Sequence, residues 1–281
     1  MPRQRGAGRA QETVNVSCVR QLSPLRYPGG KTWMVPYIQS ALSDAGYYRV
    51  VEPFAGGGII SLNAIDYELV EEAVLVEKDK GVAALWKTIL RDNDWLVDNI
   101  VSFVPTRKNV EETVMSSDMD RRSLAFRTII RNRFNYGGII AKGASLLRYG
   151  EDKRGIASRW YPETIAGRIQ NIKRVSGRFR IIQGDGLKEM EKYDSPNTLF
   201  FVDPPYTASG KRAGRRLYDH NAIDHDKLFD LVSGLSGGVI MTYDYTDDMI
   251  HKARSCGLCI EKTSMRNRNH TSMTELIIKN R

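Results

Sequence analysis

The sequence predicts an α/β fold in which a mostly parallel sheet ends in an antiparallel hairpin and carries an inserted, mainly helical subdomain. Short apolar runs alternate with helical patterns over residues 22–92 and again over residues 179–281, as in chains built from strand–helix units. The alternation lapses over residues 93–178, which are too many for a structureless loop and therefore indicate an insertion. Two closing strands, near 258–265 and 273–279, predict the hairpin.

The first strand–helix units begin after a tail. Residues 1–21 are rich in Arg, Gly and Ala and poor in apolar residues, so we expect a flexible basic tail outside the fold. Beyond it, glycine turns separate strands from helices, and each helix returns the chain to the next parallel strand. The strands are predicted at 49–53 and 73–77, and the helices at about 32–45, 59–67 and 80–91.

The insertion is predicted to be helical because apolar residues recur at helical spacing. Its helices are expected near 108–116, 121–133 and 163–175. Alternation then resumes with strands at 180–183, 199–202 and 238–243, and with helices ending at Lys192 and spanning about 224–235. Asp247 and Asp248 are expected to cap the last helix, because their charges suit the positive end of its dipole.

Composition argues against a membrane-spanning protein, a disulfide-rich protein and a metal-binding protein. No apolar run approaches the ~20 residues that a membrane span needs, so we expect a cytoplasmic protein without membrane contact. Cys18, Cys256 and Cys259 do not make a disulfide framework, and the four histidines show no ligand spacing. We therefore predict no metal site.

Positive charge is concentrated in the insertion. The chain has a formal net charge of +9, whereas residues 121–180 hold fifteen Lys and Arg against three acids, a local +12 that leaves −3 for the rest. A basic segment in a slightly acidic body indicates a binding surface for a polyanion. The alternative is a solvated basic face without a partner.

Turns with binding character follow the predicted parallel strands. They are Glu52 to Gly58, Glu77, Gly184 to Gly186 and Asp203 to Tyr206. Because the carboxyl ends of parallel strands meet at one edge of a sheet, these turns can line one pocket, and the glycines let a ligand approach the backbone. The sequence has neither a GxGxxG fingerprint nor a Walker Lys-Ser/Thr in these turns, which favours a nucleoside cofactor without a phosphate requirement.

S-adenosylmethionine meets that description. Glu77 follows the glycine turn at the spacing at which a carboxylate accepts from both ribose hydroxyls. Asp185 suits the adenine edge, and Lys31 suits the methionine carboxylate.

The turn after the 199–202 strand predicts the substrate chemistry. Asp203 offers an anionic acceptor, Pro204 offers a carbonyl without a competing N–H, and Tyr206 offers a flat face. Two acceptors beside an aromatic plate suit a planar group that carries an amino substituent, such as adenine. A stiff turn with an incidental acid is the alternative.

Together these motifs resemble the Dam-like DNA adenine-N6 methyltransferases, the D12, α-ordered class with the Asp-Pro-Pro-Tyr tetrad. Tyr27 to Lys31 (YPGGK) resemble its aromatic-x-Gly-Gly-Lys motif. Glu52 to Gly58 resemble its FxGxG cofactor loop, with Glu52 in place of the more usual Asp. Arg131 to Gly138 (RNRFNYGG) resemble the start of its target-recognition region, and Thr274 to Asn280 resemble its closing strand.

The resemblance implies a Rossmann-like methyltransferase fold and direct methyl transfer from S-adenosylmethionine to the N6 of an adenine flipped out of double-stranded DNA, in a bacterial or phage-like setting. The implied catalytic residues are Asp203, Pro204, Pro205 and Tyr206. The implied cofactor-binding residues are Tyr27, Lys31, Glu52, Phe54, Ala55, Gly56, Gly57, Gly58, Glu77, Asp185, Gly186 and Asp203. The DNA-binding candidates are Arg131, Arg133, Asn135, Tyr136, Lys142, Arg148, Arg159, Lys211, Arg212, Arg215 and Arg216.

Residues 22–92 and 179–281 would then form the catalytic domain, and residues 93–178 the target-recognition subdomain. Within the latter, Trp160 stays open between base stacking and core packing, and the stretch from Gly155 to Arg168 has no match in the better-known family members. The target sequence and a restriction endonuclease partner therefore stay open, and we expect a monomer or a weak dimer.

Alternatives of several classes fit part of the pattern. Adenine in RNA and the cytosine amino group suit the same acceptors, although cytosine-amino enzymes often carry Ser at the position of Asp203. Protein-glutamine methyltransferases more often carry Asn there. A non-catalytic nucleic-acid-binding module predicts broken motifs, whereas Lys31, Phe54, Glu77 and Asp185 are all present.

Overall fold

A seven-stranded sheet forms the centre of the computed structural model, which describes residues 19–26, 30–141, 144–150, 154–205, 223–266 and 272–280. Its strands are β1 (Arg49–Glu52), β2 (Glu72–Glu77), β3 (Phe179–Gln183), β4 (Thr198–Val202), β5 (Gly238–Asp244), β6 (Cys259–Arg266) and β7 (Ser272–Lys279). Their order across the sheet is β3-β2-β1-β4-β5-β7-β6.

Five of these strands are parallel. β1 pairs with β2 and β4, β2 with β3, and β4 with β5. β7 runs antiparallel between β5 and β6, which confirms the predicted fold class. The strand order departs in opposite directions from the central pair β1 and β4, so a crevice is expected between the carboxyl ends of these two strands.

Helices cover both faces of this sheet. In the described part of the chain they are α1 (Val35–Ala45), α2 (Ile59–Asp66), α3 (Lys80–Arg91), α4 (Asn93–Ser102), α5 (Arg107–Met115), α6 (Arg121–Phe134), α7 (Pro162–Arg174), α8 (Gly186–Lys192), α9 (His225–Gly234) and α10 (Asp247–Ser255). The cap of α10 differs from the prediction. Thr246 accepts from the Met249 N–H, while Asp247 and Asp248 lie in the first turn, where their charges still suit the helix dipole.

The apolar residues of the strands alternate between the two faces, as the pleat requires. Leu199 and Phe201 of β4 belong to one buried cluster, which also holds Trp86 of α3. Phe200 and Val202 belong to the other cluster. A strand that is buried on both faces reads as a continuous apolar run, which is why the sequence signal of β4 was clear.

The helices of the insertion pack against α3. α6 and α7 both contact α3, and their apolar residues share one cluster with that face of the sheet. Trp160 is 8% exposed, and its ring centroid lies 5.5 Å from those of Phe103 and Phe134. Trp160 is therefore a core residue. The division into two domains stays a prediction.

None of the helices in the described part of the chain has the length and apolar content that a membrane-crossing helix requires.

Candidate functional site

The turn that follows β1 is tight and closely packed. The Ala55 N–H donates to the Val76 carbonyl (3.0 Å), and the Gly58 N–H donates to the Ala55 carbonyl (2.7 Å). Gly56 and Gly58 have φ angles of +46° and +59°, which side chains disfavour. The Trp86 indole N–H donates to the Gly56 carbonyl (3.0 Å), and a Cβ at residue 58 would lie 2.9 Å from the Trp86 ring. The fold therefore favours glycine at these two bends.

The Glu77 carboxylate lies directly beside this turn. Its Oε2 accepts from the Gly56 N–H (3.0 Å), and its Oε1 accepts from the Asp79 N–H (2.9 Å). Burial raises the pKa of Glu77 to about 7, while these backbone donors act in the opposite direction. The acid at the end of β2 is thus held in one orientation against the glycine turn.

The turn after β3 packs onto the turn after β1. A Cβ at Gly186 would lie 2.3 Å from the Pro53 carbonyl oxygen, so the two loops touch through their backbones. Asp185 caps α8 by accepting from the Leu187 N–H (3.1 Å), and its other oxygen lies 3.9 Å from Lys78 Nζ. Three predicted turns therefore meet at one edge of the sheet.

Glu52 is turned into the protein. It is 3% exposed, and its Oε1 accepts from the Ser61 N–H in the first turn of α2 (2.7 Å). Burial raises its pKa to about 7, and the charge of Asp203 adds to that effect. Glu52 thus anchors the start of α2, which is a different use from the cofactor contact expected from the sequence.

Asp203 follows β4 directly and is surrounded by polar side chains from distant parts of the chain. Its Oδ1 accepts from the Thr242 hydroxyl of β5 (2.9 Å) and lies 3.2 Å from Lys31 Nζ. Lys31 Nζ also lies 3.6 Å from Oε2 of Glu275, which belongs to β7. The Lys31 side chain is 4% exposed, whereas that of Asp203 is 27% exposed. Asp203 is therefore the most accessible member of a mostly buried charge cluster.

Charges in this cluster influence one another strongly. Burial opposes the charge of Lys31, but the carboxylates of Asp203 and Glu275 outweigh it and raise the pKa of Lys31. Burial raises the pKa of Glu275 to about 7, although Lys31 acts in the opposite direction. Lys31 thus forms an ion pair with Asp203, and its predicted contact with a cofactor carboxylate stays a prediction.

Sequence reasoning missed Thr242 and Glu275. Thr242 follows the apolar run Val239–Met241 and Glu275 precedes the apolar run Leu276–Ile278 in predicted strands, which was the available signal. A lone threonine or acid in a strand is a weak signal by itself, because only the pairing of β5 and β7 next to β4 brings it to Asp203.

The remaining predicted residues of this site fall into two groups. Phe54 is half-buried against the apolar cluster, Ala55 and Pro204 are buried, and Gly57 and Pro205 are partly exposed. Tyr27 and Tyr206 lie outside the described residues, so their predicted roles stay predictions.

The comparison with protein families addresses the same motifs. The model of the D12 class N6 adenine-specific DNA methyltransferases matches residues 27–143. This match supports the resemblance to the Dam-like family over that part of the chain. The matched range runs from the YPGGK motif through both cofactor turns of β1 and β2 to the RNRFNYGG stretch, and it ends before Asp203.

The solved structures that are similar to this chain are distant. They include a candidate RNA methyltransferase from Pyrococcus horikoshii (13% identity, 94% of this chain and 92% of that chain, TM-score 0.41). Others are a precorrin-6y C5,15-methyltransferase from Geobacter metallireducens (10%, 87% and 85%, 0.37) and the rRNA methyltransferase AviRa from Streptomyces viridochromogenes (9%, 95% and 93%, 0.38). Similarity of this degree supports no conclusion about substrate. No curated protein matches the chain.

Several arginines that the Dam-like resemblance assigned to DNA donate to backbone carbonyls. Arg131 donates to Val114 O (3.1 Å), and Arg159 donates to Asn135 O (3.3 Å). Arg133 is 4% exposed and donates to the Pro24 carbonyl. Burial, with neighbouring arginines as a smaller cause, lowers the pKa of Arg133 to about 9. In this conformation these side chains hold the fold, and we do not carry them into a DNA interface.

The turn after α6 holds two of the predicted DNA-binding residues, of which one is buried and the other is exposed. Asn135 is 2% exposed and donates through Nδ2 to the Ile139 carbonyl (2.7 Å), so it is also structural in this conformation. Tyr136, by contrast, is 68% exposed on the same turn. Arg148 is exposed as well, with its guanidinium 5.8 Å from the Tyr149 ring centroid. Lys142, Lys211, Arg212, Arg215 and Arg216 lie outside the described residues.

Further basic residues of the 121–180 segment face acids that lie outside it. Ion pairs join Arg121 and Arg122 to Asp92, Lys173 to Asp94, and Arg180 to Glu72. The local +12 of the sequence is therefore partly balanced by the body on which the segment packs.

Asn132 was absent from the predicted site and connects two motifs. Its Oδ1 accepts from the Arg26 N–H (2.8 Å), and its Nδ2 donates to the carbonyls of Arg26 (2.7 Å) and Gly138 (3.1 Å). Arg168 adds a bond to the Ser23 carbonyl (2.9 Å). The insertion thus holds the segment that leads into the YPGGK motif.

Proposed function

We propose that this Dam-like protein transfers a methyl group from S-adenosylmethionine to the exocyclic N6 of adenine in double-stranded DNA. The family match supports methyl transfer and adenine as its acceptor. The observation that carries the proposal is the position of Asp203. Its partly exposed carboxylate stands at the end of β4, next to β1 at the switch point of the sheet, where the glycine turn also begins.

The residues at the sheet edge fit this cofactor by their donor and acceptor chemistry. Each oxygen of Glu77 accepts one backbone N–H and has the capacity for a further donor, which suits the two hydroxyls of a ribose. The bends at Gly56 and Gly58 bring the backbone close to a ligand. When bound, S-adenosylmethionine supplies a methyl group activated by a sulfonium.

The protein's part in the reaction is to hold the amine. The lone pair of an exocyclic amino group is delocalised into the ring, so the nitrogen is a poor nucleophile. We assign the Asp203 carboxylate and the Pro204 carbonyl to accept one amino hydrogen each, which favours a tetrahedral nitrogen with a directed lone pair. Positioning and electrostatic stabilisation then supply the rate without a covalent enzyme adduct.

Access to this site requires the adenine to leave the duplex stack. We assign residues 93–178 to target recognition, with Tyr136 as a stacking surface and Arg148 as a phosphate contact, because both are exposed. The predicted contacts of Lys142 and of the basic residues at 211–216 stay part of this proposal. Their contribution is to be tested separately.

The test is incubation with labelled S-adenosylmethionine and either plasmid DNA or RNA, followed by sequencing that detects modified adenine. Wild-type protein should label DNA, and Asp203→Asn should reduce turnover roughly 100- to 1000-fold, the range for loss of one pre-oriented polar group. Asp247→Asn, an exposed acid in the first turn of α10, is the matched control and should be fully active. Near-normal turnover in Asp203→Asn, or label in RNA alone, would contradict the proposal.

A further inference from the structure

We propose that Thr242 is a positioning residue for Asp203 and that Glu275 keeps Lys31 from neutralising Asp203. The inference deepens the proposed function and rests on it. Both residues lie outside the four turns that define the site, and both are mostly or fully buried. They reach Asp203 only because β5 and β7 follow β4 in the sheet.

Thr242 is suited to orient a carboxylate. It is 0% exposed, and its same-face neighbour Ile240 and its register partner Ile277 on β7 belong to an apolar cluster. A hydroxyl buried in such surroundings costs free energy unless it is hydrogen-bonded, and it donates to Asp203 Oδ1 at 2.9 Å. Lys31 approaches the same oxygen at 3.2 Å. Rotation of the carboxylate would therefore break two charge-assisted contacts at once, which fixes its orientation toward the substrate.

Glu275 changes the net charge of the cluster that surrounds the Asp203 carboxylate. A single Lys–Asp ion pair is neutral, and its ammonium would compete with an amine for the carboxylate. Here Lys31 Nζ lies between Asp203 at 3.2 Å and Glu275 at 3.6 Å. Once Glu275 is ionised, above its pKa of about 7, one ammonium faces two carboxylates and the three groups together have a net charge of −1. The shared ammonium thus holds Asp203 in place while the site stays negative where the amino hydrogens must be bound.

The first test compares Thr242→Val, which keeps the shape, with Thr242→Ser, which keeps the hydroxyl. Thr242→Val should lower kcat roughly ten- to a hundredfold, as expected for loss of a hydrogen bond to a charged group. KM for S-adenosylmethionine should change little, and Thr242→Ser should restore most of the activity. A merely structural threonine would lower the melting temperature and leave kcat of the folded protein unchanged.

Thr198→Val is the matched control for this series. Thr198 is also 0% exposed and begins β4 at the opposite edge of the sheet, so its replacement should leave kcat unchanged. Equal kcat values in Thr242→Val and Thr198→Val would overturn the role of Thr242.

The second test is Glu275→Gln, which leaves Lys31 paired with Asp203 alone. We expect kcat to fall severalfold with cofactor affinity by calorimetry unchanged. Glu261→Gln is the control, because Glu261 is an acid of the same hairpin that forms its ion pair with Lys279. Unchanged kcat in Glu275→Gln would overturn the role of Glu275.

A spectroscopic measurement separates this inference from the proposed function. In protein with carboxyl-labelled aspartate, the 13Cγ resonance of Asp203 should shift in Thr242→Val and stay in place in Thr198→Val, whether or not DNA is methylated. A wild type without methyl transfer to DNA would overturn the proposed function, and an unshifted resonance would overturn the positioning role.

Discussion

The edge of the sheet and the helical insertion use buried charge in opposite ways. At the edge, carboxylates accept from backbone N–H groups, as Glu77 does from Gly56 and Glu52 does from Ser61. In the insertion, guanidinium groups donate to backbone carbonyls, as Arg133 does to Pro24. Both uses satisfy backbone groups that burial would otherwise leave without partners.

The two regions differ in which of their charged groups stay exposed and which are engaged by the backbone. The acids stand at strand ends, beside glycine bends that admit a ligand, and Asp203 keeps part of its surface exposed. The arginines point inward from helices, so their positive charge contributes to the field of the protein while their donors are engaged. A count of charges along the sequence therefore does not tell which basic residues of the 121–180 segment have donors left for a ligand.

The largest effect on the free energy of unfolding is expected for Glu52, one of the buried acids at the edge of the sheet. Its carboxyl has a folded pKa of about 7 and an ordinary value of 4.5. Between these pH values the unfolded state binds fewer protons than the folded state, so this group lowers the free energy of unfolding as pH rises. In Glu52→Gln, the loss of stability between pH 5 and pH 8 should shrink by up to about 3 kcal/mol. Urea denaturation at both pH values measures it.

Glu261→Gln provides the comparison of opposite sign. Burial acts to raise the pKa of Glu261, but the hydrogen bonds from Lys279 and Tyr37 outweigh it and lower that pKa. Its removal should make the protein less stable at neutral pH and have little effect well below pH 4. The same sign in both variants would contradict the account of the buried acid.

A smaller effect on the free energy of unfolding is expected for Arg133, the buried arginine of the insertion. Arg133→Met should lower the free energy of unfolding by about 1–3 kcal/mol, because the Pro24 carbonyl loses a buried donor. The DNA affinity of the folded variant should keep the salt dependence of the wild type. Denaturation and fluorescence anisotropy over a range of salt concentrations measure the two quantities. A clearly smaller salt slope would return Arg133 to the DNA interface.

The smallest effect on stability is expected at Arg148, which is exposed. Arg148→Ala should weaken DNA binding and reduce the slope of log K against log salt by about one, as expected for one phosphate contact. Its free energy of unfolding should change by less than about 0.5 kcal/mol. Arg91→Ala, an exposed arginine at the end of α3, is the control and should leave the slope unchanged.

The turns that meet at the edge of the sheet could be predicted from the sequence because each is local. The turn at Gly56, the acid Glu77 and the turn at Asp185 each follow an apolar strand, and parallel strands bring their carboxyl ends together. Thr242 and Glu275 could not be found in the same way. Thr242 reaches Asp203 because β5 lies next to β4, and Glu275 comes near because β7 lies next to β5, and neither pairing can be read from a short stretch of sequence.

The sequence by itself determined the alternation of strands and helices, the helical character of residues 93–178, the antiparallel end and the resemblance to the Dam-like family, because these depend on periodicity and on motifs within short stretches. Only the tertiary structure decided which charged side chains stay exposed and which donate to or accept from the backbone. Arg133 and Arg148 look alike in the sequence, yet one is buried against Pro24 and the other is exposed. The physical reason is that burial is a property of the surrounding elements, and the free energy of a charge depends on that burial more than on the residue type.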